Sequence, residues 1–179
     1  MTNIIFQCFY FILPAYLANM APVIIRNKIR WLAIPVDFGK NLGKNRIFGE
    51  HKTFRGIVFG ALFGVLATYI QFLLHNIDFF ASLELVDYSN WLLLGFLLGL
   101  GAMIGDLAKS FFKRRLKLEP GKPFIPFDQA DFIIGALIFS YPLAKLSLEN
   151  ILIILTLSFI LHIIVNHIAF YTGVRKEKW

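Results

Sequence analysis

The sequence predicts an all-α membrane protein with five transmembrane helices. Its 179 residues are 58% hydrophobic, have a mean hydropathy of +0.67 and include only 16% charged residues. Soluble domains are about half apolar and about a quarter charged. The apolar residues fall into five runs near the length of about 20 residues that a helix needs to cross a bilayer. These runs cover residues 4–25, 56–74, 91–107, 132–146 and 151–171.

Each run supports a helix for its own reason. The first is longer than the hydrophobic region of a signal peptide, about 7–15 residues, so we interpret it as a retained span with a kink at Pro14. The second and third contain Gly60/Gly64 and Gly95/Gly99, a spacing that favours close helix packing. The third and fourth are short unless their polar ends enter the membrane interface, as a site at membrane depth would require. The fifth contains no charged residue.

Basic residues predict the orientation of these helices. All but one of the 18 lysines and arginines lie in 26–55, in 108–130 or in the C-terminal tail, and the exception is Lys145. With five spans these three regions share one side, which the positive-inside rule makes cytoplasmic. The sequence thus predicts an outside N-terminus, a cytoplasmic C-terminus and two long cytoplasmic loops, 26–55 and 108–130, in a single domain, 1–179.

Composition also limits the function. The one cysteine, Cys8, excludes an intrachain disulfide and a zinc site built on cysteines. The net charge of +7 suits an anionic membrane face and nucleotide attraction. It gives no reason to invoke nucleic acid, because the bases are needed at the membrane. No oligomeric state follows from these features.

The second loop and its flanks carry the strongest chemical signal. Asp106, Lys109 and Lys113 fall on one face if the third helix continues past the membrane interface, and Asp128 and Asp131 share a face at the start of the fourth. Three carboxylates at the same depth repel one another unless a cation lies between them. Oxygen donors without cysteine or clustered histidine favour a hard ion such as Mg²⁺.

Structural interpretations of the same residues remain open. Asp128 could be an N-cap residue. Asp106 could form a structural ion pair with Lys109 or Lys113. The basic run 113–117 could serve only to bind anionic lipid headgroups.

The first loop has the composition of a phosphate-binding segment. Between residues 37 and 56, glycines alternate with bases, and glycines let backbone N–H groups approach phosphate. The loop is not a P-loop, because His51 rather than glycine precedes Lys52 and Thr53. A flexible basic loop without a ligand is the open alternative.

The chain resembles the CDP-archaeol synthase family over nearly its whole length. The resemblance is carried by PVDFGK (35–40), GKNRIFGEHKTFRG (43–56), GDLAKSFFKRR (105–115) and EPGKPFIPFDQAD (119–131). The wider cytidylyltransferase signature S-x-x-K-R…D-R-x-D is similar to Ser110–Arg114 and to Asp128–Asp131. The Lys-Asp pair and His-Gly-Gly that larger members have between these motifs are absent, which favours the archaeal-type branch.

The resemblance implies a magnesium-dependent reaction of CTP with an isoprenoid ether lipid phosphate, 2,3-bis-O-geranylgeranylglycerol 1-phosphate, at the bilayer surface. Our hypothesis assigns Mg²⁺ to Asp106, Asp128 and Asp131, with Lys109 and Lys113 as further catalytic residues. Lys109, Lys113 and Arg114 would hold the lipid phosphate or the pyrophosphate. The residues assigned to the triphosphate and the cytidine are Lys44, Arg46, His51, Lys52, Thr53 and Arg55.

Two alternatives are kept. The chain could act on acyl phosphatidate as a CDP-diacylglycerol synthase, because apolar helix faces do not discriminate ether from ester tails. It could also be a non-enzymatic membrane protein that binds anionic lipids.

Overall fold

The protein is mostly helical. The computed structural model describes residues 4–118, 124 and 127–171. Its long helices are α1 (Ile4–Ile24), α2 (Phe54–Leu74), α4 (Trp91–Arg115), α5 (Phe127–Ala144) and α6 (Leu148–Tyr171), and α3 is a short turn of helix, Asp78–Ala81. The motif residues Glu119–Pro123, Ile125 and Pro126, and the bases of the tail, lie outside the described residues.

Four of the long helices, α1, α2, α4 and α6, are long and apolar enough to cross a membrane. The predicted spans 4–25, 56–74, 91–107 and 151–171 overlap these four helices. The fourth predicted span, 132–146, corresponds to α5, whose first five residues include Asp128, Gln129 and Asp131. These polar side chains lower its hydropathy, and α5 is therefore not among the helices that are apolar enough to cross a membrane. With four such helices among its described residues, the chain is a multi-pass membrane protein.

The third predicted span ends too early. α4 continues as one helix to Arg115, eight residues beyond the predicted end at 107. Its last two turns therefore carry Lys109, Lys113 and the neighbouring bases, and Asp106, Lys109 and Lys113 share one face of a continuous helix as predicted. We call the end of the bundle where α4 finishes and α5 begins the charged end.

The first loop contains a small hairpin that the sequence did not predict. The strands β1 (Asn41–Leu42) and β2 (Asn45–Arg46) pair antiparallel around the turn residues Gly43 and Lys44. Gly43 has φ +68°, a conformation that glycine adopts without steric cost. Further along, Pro35 pairs with Thr53, so the loop returns to the start of α2 as a folded segment.

α1 shows how the bundle satisfies backbone groups that prolines leave open. Pro14 has no N–H to donate to the carbonyl of Tyr10, one turn earlier. The Gln71 side chain of α2 donates to that carbonyl instead, at 2.6 Å. An unpaired carbonyl is costly in an apolar environment, so this hydrogen bond favours one position of α2 along the axis of α1.

Glycines set the distance between α4 and its neighbours. A Cβ on Gly64 of α2 would lie 2.8 Å from the Gly99 Cα of α4, and a Cβ on Gly99 would lie 2.8 Å from the Gly60 carbonyl oxygen. On the other side of α4, Gly101 and Gly105 face Gly135 of α5 in the same way. Backbones in such contact exclude any larger residue. The approach at Gly105 brings the backbone of Asp131 against α4, directly beside Asp106.

We expect Gly135→Ala to destabilise the bundle by about 1–3 kcal/mol, because overpacking forces the backbones apart. The added Cβ would collide with the Gly101 carbonyl oxygen and lie 2.8 Å from the Gly105 nitrogen. Thermal unfolding in detergent micelles measures the effect. The matched control is Gly56→Ala, also within a helix, where the nearest atom would be the Pro22 Cγ at 3.4 Å. Equal melting temperatures for the two variants would contradict the role of Gly135.

Candidate active site

The charged end of the bundle contains a compact cluster of carboxylates around one lysine. The Lys109 Nζ lies 2.8 Å from an oxygen of Asp131, 3.3 Å from one of Asp106 and 3.4 Å from one of Asp128. α4 supplies Lys109 and Asp106, three residues apart on one face, and the first turns of α5 supply Asp128 and Asp131. The structure thus brings the three predicted carboxylates together.

Two further lysines complete this cluster. Lys52, from the first loop, pairs with Asp106, and the Lys113 Nζ lies 3.3 Å from both oxygens of Asp128. The side chains are largely buried: that of Asp131 is 6% exposed and that of Lys109 is 16% exposed. Three acids and three bases share this space, and each partner lowers the cost of burying the other.

These contacts bear on the three structural interpretations of Asp106, Asp128 and the basic run 113–117. Asp106 is paired with Lys109, and with Lys52, which the spacing along one helix could not reveal. Asp128 lies within the first turn of α5, where its Oδ2 accepts the backbone N–H of Phe124 at 2.6 Å, so it is not the N-cap residue. Lys113 is only 8% exposed, which argues against lipid headgroup binding as its sole role.

A cavity of about 190 Å³ opens beside the cluster. One wall is formed by residues 48–52 of the first loop, and the other by α4 and α5. The described residues that line it from the helices are Lys109, Ser110, Lys113, Arg114 and Asp128. The Ser110 hydroxyl donates to the Phe48 carbonyl at 2.9 Å and so joins the two walls.

Not every predicted nucleotide-binding residue lines this cavity. His51 and Lys52 do, and so does Arg114, which was predicted to hold the lipid phosphate or the pyrophosphate. Lys44 lies exposed in the hairpin turn, and Arg46 pairs with Asp37. Among the described residues, neither Lys44 nor Arg46 lines the cavity, and neither do Thr53 and Arg55 at the start of α2. There Thr53 is the N-cap residue, with its hydroxyl accepting the Gly56 N–H at 3.3 Å, and Arg55 donates to the Lys28 carbonyl at 2.8 Å.

Asp37 organises the first loop, although it was not among the site residues predicted from the sequence. Its carboxylate accepts the backbone N–H groups of Gly39, Phe48 and Gly49 at 3.0–3.1 Å, and the Arg46 guanidinium. Burial by itself would raise its pKa, but the donors from Arg46, Gly49, Phe48 and Gly39 outweigh burial and hold the pKa of Asp37 well below its usual range. The signal was present in the aspartate of PVDFGK, next to the turn residue Gly39.

We expect Asp37→Asn to loosen the first loop at neutral pH. The folded pKa lies below the unfolded value of about 3.9, so the stabilisation by the carboxylate is present in full above that value and is lost as the pH falls through the folded pKa. The difference in melting temperature between wild type and variant should therefore be constant from pH 8 to about 5 and shrink in stronger acid.

The control for this prediction is Asp87→Asn. Asp87 is exposed, also has a lowered pKa because it accepts hydrogen bonds from Ser89, and lies in a different loop. Trypsin cleavage between residues 40 and 52 should be faster in the Asp37 variant alone. Equal cleavage of the two variants would show that the Asp37 carboxylate does not hold the loop.

The donor set of the cluster suits a hard metal ion, although Lys109 occupies the centre. Within the described ranges, no group of three histidine, cysteine or acidic side chains forms a ready-made metal site. The three carboxylates nevertheless offer only oxygen, the donor that Mg²⁺ prefers. Asp131 Oδ1 is buried and makes no hydrogen bond among the described residues, so it keeps free acceptor capacity. In the type and burial of their donors, these residues fit the ion.

Fold and site together define a multi-pass membrane protein with a buried ionic site at the ends of two helices. The family model of the CarS-like CDP-archaeol synthases matches residues 1–179. The chain therefore belongs to the CDP-archaeol synthase family. It is 39% identical to the CDP-archaeol synthase of Methanocaldococcus jannaschii over 179 residues, covering 99% of this chain and 98% of the relative.

Two other comparisons agree with this family. The CDP-archaeol synthase of Thermococcus kodakarensis is 39% identical over 176 residues, which is 98% of this chain and 96% of the relative. A solved structure of an intramembrane enzyme for archaeal membrane lipid biosynthesis matches with a TM-score of 0.69 at 31% identity. That match covers 88% of this chain and 91% of the other. The resemblance read from the four motifs is thereby confirmed.

Proposed function

We propose that this chain transfers a CMP unit from CTP to 2,3-bis-O-geranylgeranylglycerol 1-phosphate, forming CDP-archaeol and releasing pyrophosphate. The observation that carries this proposal is the cluster of Asp106, Lys109, Asp128 and Asp131 at the ends of α4 and α5. It occurs in a chain similar from end to end to CDP-archaeol synthases. A lipid phosphate could reach this cluster while its isoprenoid tails lie against apolar helix surfaces.

The residues suit this chemistry. A phosphate oxygen of the lipid attacks the α-phosphorus of CTP, and the bond from that phosphorus to the oxygen bridging the β-phosphorus breaks, so that pyrophosphate leaves. The attacking phosphate is already largely ionised at neutral pH, because its second pKa is about 6. No general base is required. The obstacle is repulsion between two anions, which fixed cations such as Lys109, Lys113 and Arg114 relieve.

Mg²⁺ is part of the proposal. Asp106, Asp128 and Asp131 would hold it, which agrees with their oxygen donors and with the free acceptor of Asp131. When bound, the ion would stabilise the negative charge of the leaving pyrophosphate. The nucleotide would lie in the cavity beside the cluster, whose lining includes His51, Lys52 and Arg114. Contacts from Lys44, Arg46, Thr53 and Arg55 would require the first loop to rearrange.

The proposed topology has five crossings. α5 would be the fifth, with Asp128 and Asp131 in the interface and its apolar remainder in the bilayer. The N-terminus would then lie outside and the charged end of the bundle on the cytoplasmic side, as the positive-inside rule requires for loops this basic.

The test is pyrophosphate release by purified protein in nanodiscs with CTP and Mg²⁺. Two lipid phosphates are compared, the geranylgeranyl ether and a diacyl phosphatidate. Faster release with the ether lipid is expected, and faster release with the diacyl lipid would replace the proposal by a CDP-diacylglycerol synthase. Thermal shifts with CTP and Mg²⁺ serve as a second measurement. A flat response together with no release would favour the lipid-binding alternative.

A further inference from the structure

Arg115, the last residue of α4, is used by none of the chemistry proposed so far. Its guanidinium donates to backbone carbonyls of the hairpin in the first loop. Nη1 reaches the Leu42 carbonyl at 2.6 Å, and Nη2 reaches those of Arg46 at 2.7 Å and Asn45 at 3.3 Å. Leu42 ends β1, and the other two residues form β2, so one side chain holds both strands.

Two other contacts support this arrangement, one between the hairpin and the end of α4 and one on the guanidinium itself. The Asn45 side-chain amide donates back to the Arg114 carbonyl at 3.1 Å, and this carbonyl also accepts the backbone N–H of Lys117 at 3.2 Å. The Arg115 guanidinium carbon also lies 5.3 Å from the centroid of the Phe111 ring, one turn earlier in α4. The planar guanidinium of Arg115 thus makes its hydrogen bonds to the hairpin.

The hairpin is connected to the cavity by an unbroken series of contacts. Arg115 holds the Arg46 carbonyl, and the Arg46 guanidinium pairs with Asp37. The Asp37 carboxylate accepts the N–H groups of Phe48 and Gly49, each at 3.1 Å. These two residues begin the loop wall of the cavity. A displacement of the hairpin would therefore move that wall relative to Lys109 and Lys113.

We propose that Arg115 is a positioning residue that holds the nucleotide-binding wall, residues 48–52, against α4 without contacting substrate. This inference rests on the proposed function for the identity of the ligand, CTP. It separates Arg115 from its neighbours Lys113 and Arg114, whose side chains line the cavity itself.

The test compares Arg115→Met with Lys117→Met in nanodiscs. Each variant removes one positive charge from the same segment, and Lys117 is exposed. Hydrogen–deuterium exchange without ligand reports on residues 41–52, and steady-state kinetics gives KM for CTP, KM for the lipid phosphate and kcat. We expect Arg115→Met to speed exchange in 41–52 alone and to raise KM for CTP by about tenfold. KM for the lipid phosphate and kcat should change by less than about twofold, and Lys117→Met should behave as wild type.

Arg115→Lys separates geometry from charge. One ammonium cannot span three carbonyls, so this variant should resemble Arg115→Met. Full rescue by lysine would overturn the proposal, because charge alone would then account for the effect. So would a raised KM for CTP with unchanged exchange, which indicates direct ligand contact, or faster exchange throughout α2 and α5, which indicates general unfolding. Faster exchange in 41–52 with an unchanged KM would overturn it as well.

This experiment also distinguishes the two proposals. If the wild-type protein failed to turn over CTP, the proposed function would fall. The exchange comparison would still show whether Arg115 holds the hairpin.

Discussion

Replacing Lys109 with methionine is expected to lower CTP turnover by at least about 100-fold, the scale of loss when one preorganised charge of a transition state is removed. Lys109 contacts Asp106, Asp128 and Asp131 together, so its loss leaves three largely buried carboxylates without their shared cation. Stability should also fall, because breaking a buried ion pair costs on the order of 3–5 kcal/mol. Pyrophosphate release and thermal unfolding measure the two effects.

The controls separate charge from position. Lys145→Met removes one positive charge from an exposed residue between α5 and α6, and it should leave both measurements unchanged. Lys109→Arg keeps a charge among the carboxylates, so it should restore most of the stability. Its larger, planar group cannot reproduce the ammonium contacts, so turnover should stay below wild type. Wild-type turnover in Lys109→Met would remove this lysine from the reaction.

Asp131→Asn is expected to reduce turnover by at least about 100-fold while keeping the fold. The substitution changes one oxygen to an amide nitrogen of nearly the same size. It removes the negative charge that pairs with Lys109 at 2.8 Å, together with a carboxylate oxygen that makes no hydrogen bond among the described residues. An amide is a poorer ligand for Mg²⁺ than a carboxylate.

Two measurements test the role of Asp131. Pyrophosphate release gives turnover, and Mn²⁺ binding followed by electron paramagnetic resonance in the presence of CTP gives the metal affinity. Both should fall in Asp131→Asn and stay unchanged in Asp78→Asn, which alters an exposed aspartate of α3 outside the cluster. Pyrophosphate release at the wild-type rate in Asp131→Asn would show that the metal assignment is wrong.

The helices and the charged cluster were largely predictable from the sequence. Hydropathy located the cores of all five long helices, because each must present apolar side chains to lipid or to its neighbours. The spacing of Asp106, Lys109 and Lys113 correctly placed them on one face of a continuing helix. Glycine spacing indicated close packing on α4, and it did not identify Gly135 as the partner of Gly101 and Gly105.

For the first loop, the sequence predicted a segment rich in glycine and bases but not its folded structure. The sequence predicts its bases as phosphate ligands, and in the structure Arg46 pairs with Asp37 and Arg55 donates to a backbone carbonyl. The hairpin held by Arg115 was missed, since every residue has the same backbone carbonyl and such acceptors leave no pattern in a sequence.

The sequence by itself determined that the chain is a membrane protein, where its helices lie and which charged residues stand at their ends. Only the tertiary structure decided which of these charges meet. Lys52 reaches Asp106 across 54 residues of chain, and Arg115 reaches Leu42 across 73. Contacts at such separations depend on how closely the helices pack, and here glycine backbones on α4 and its neighbours set that distance.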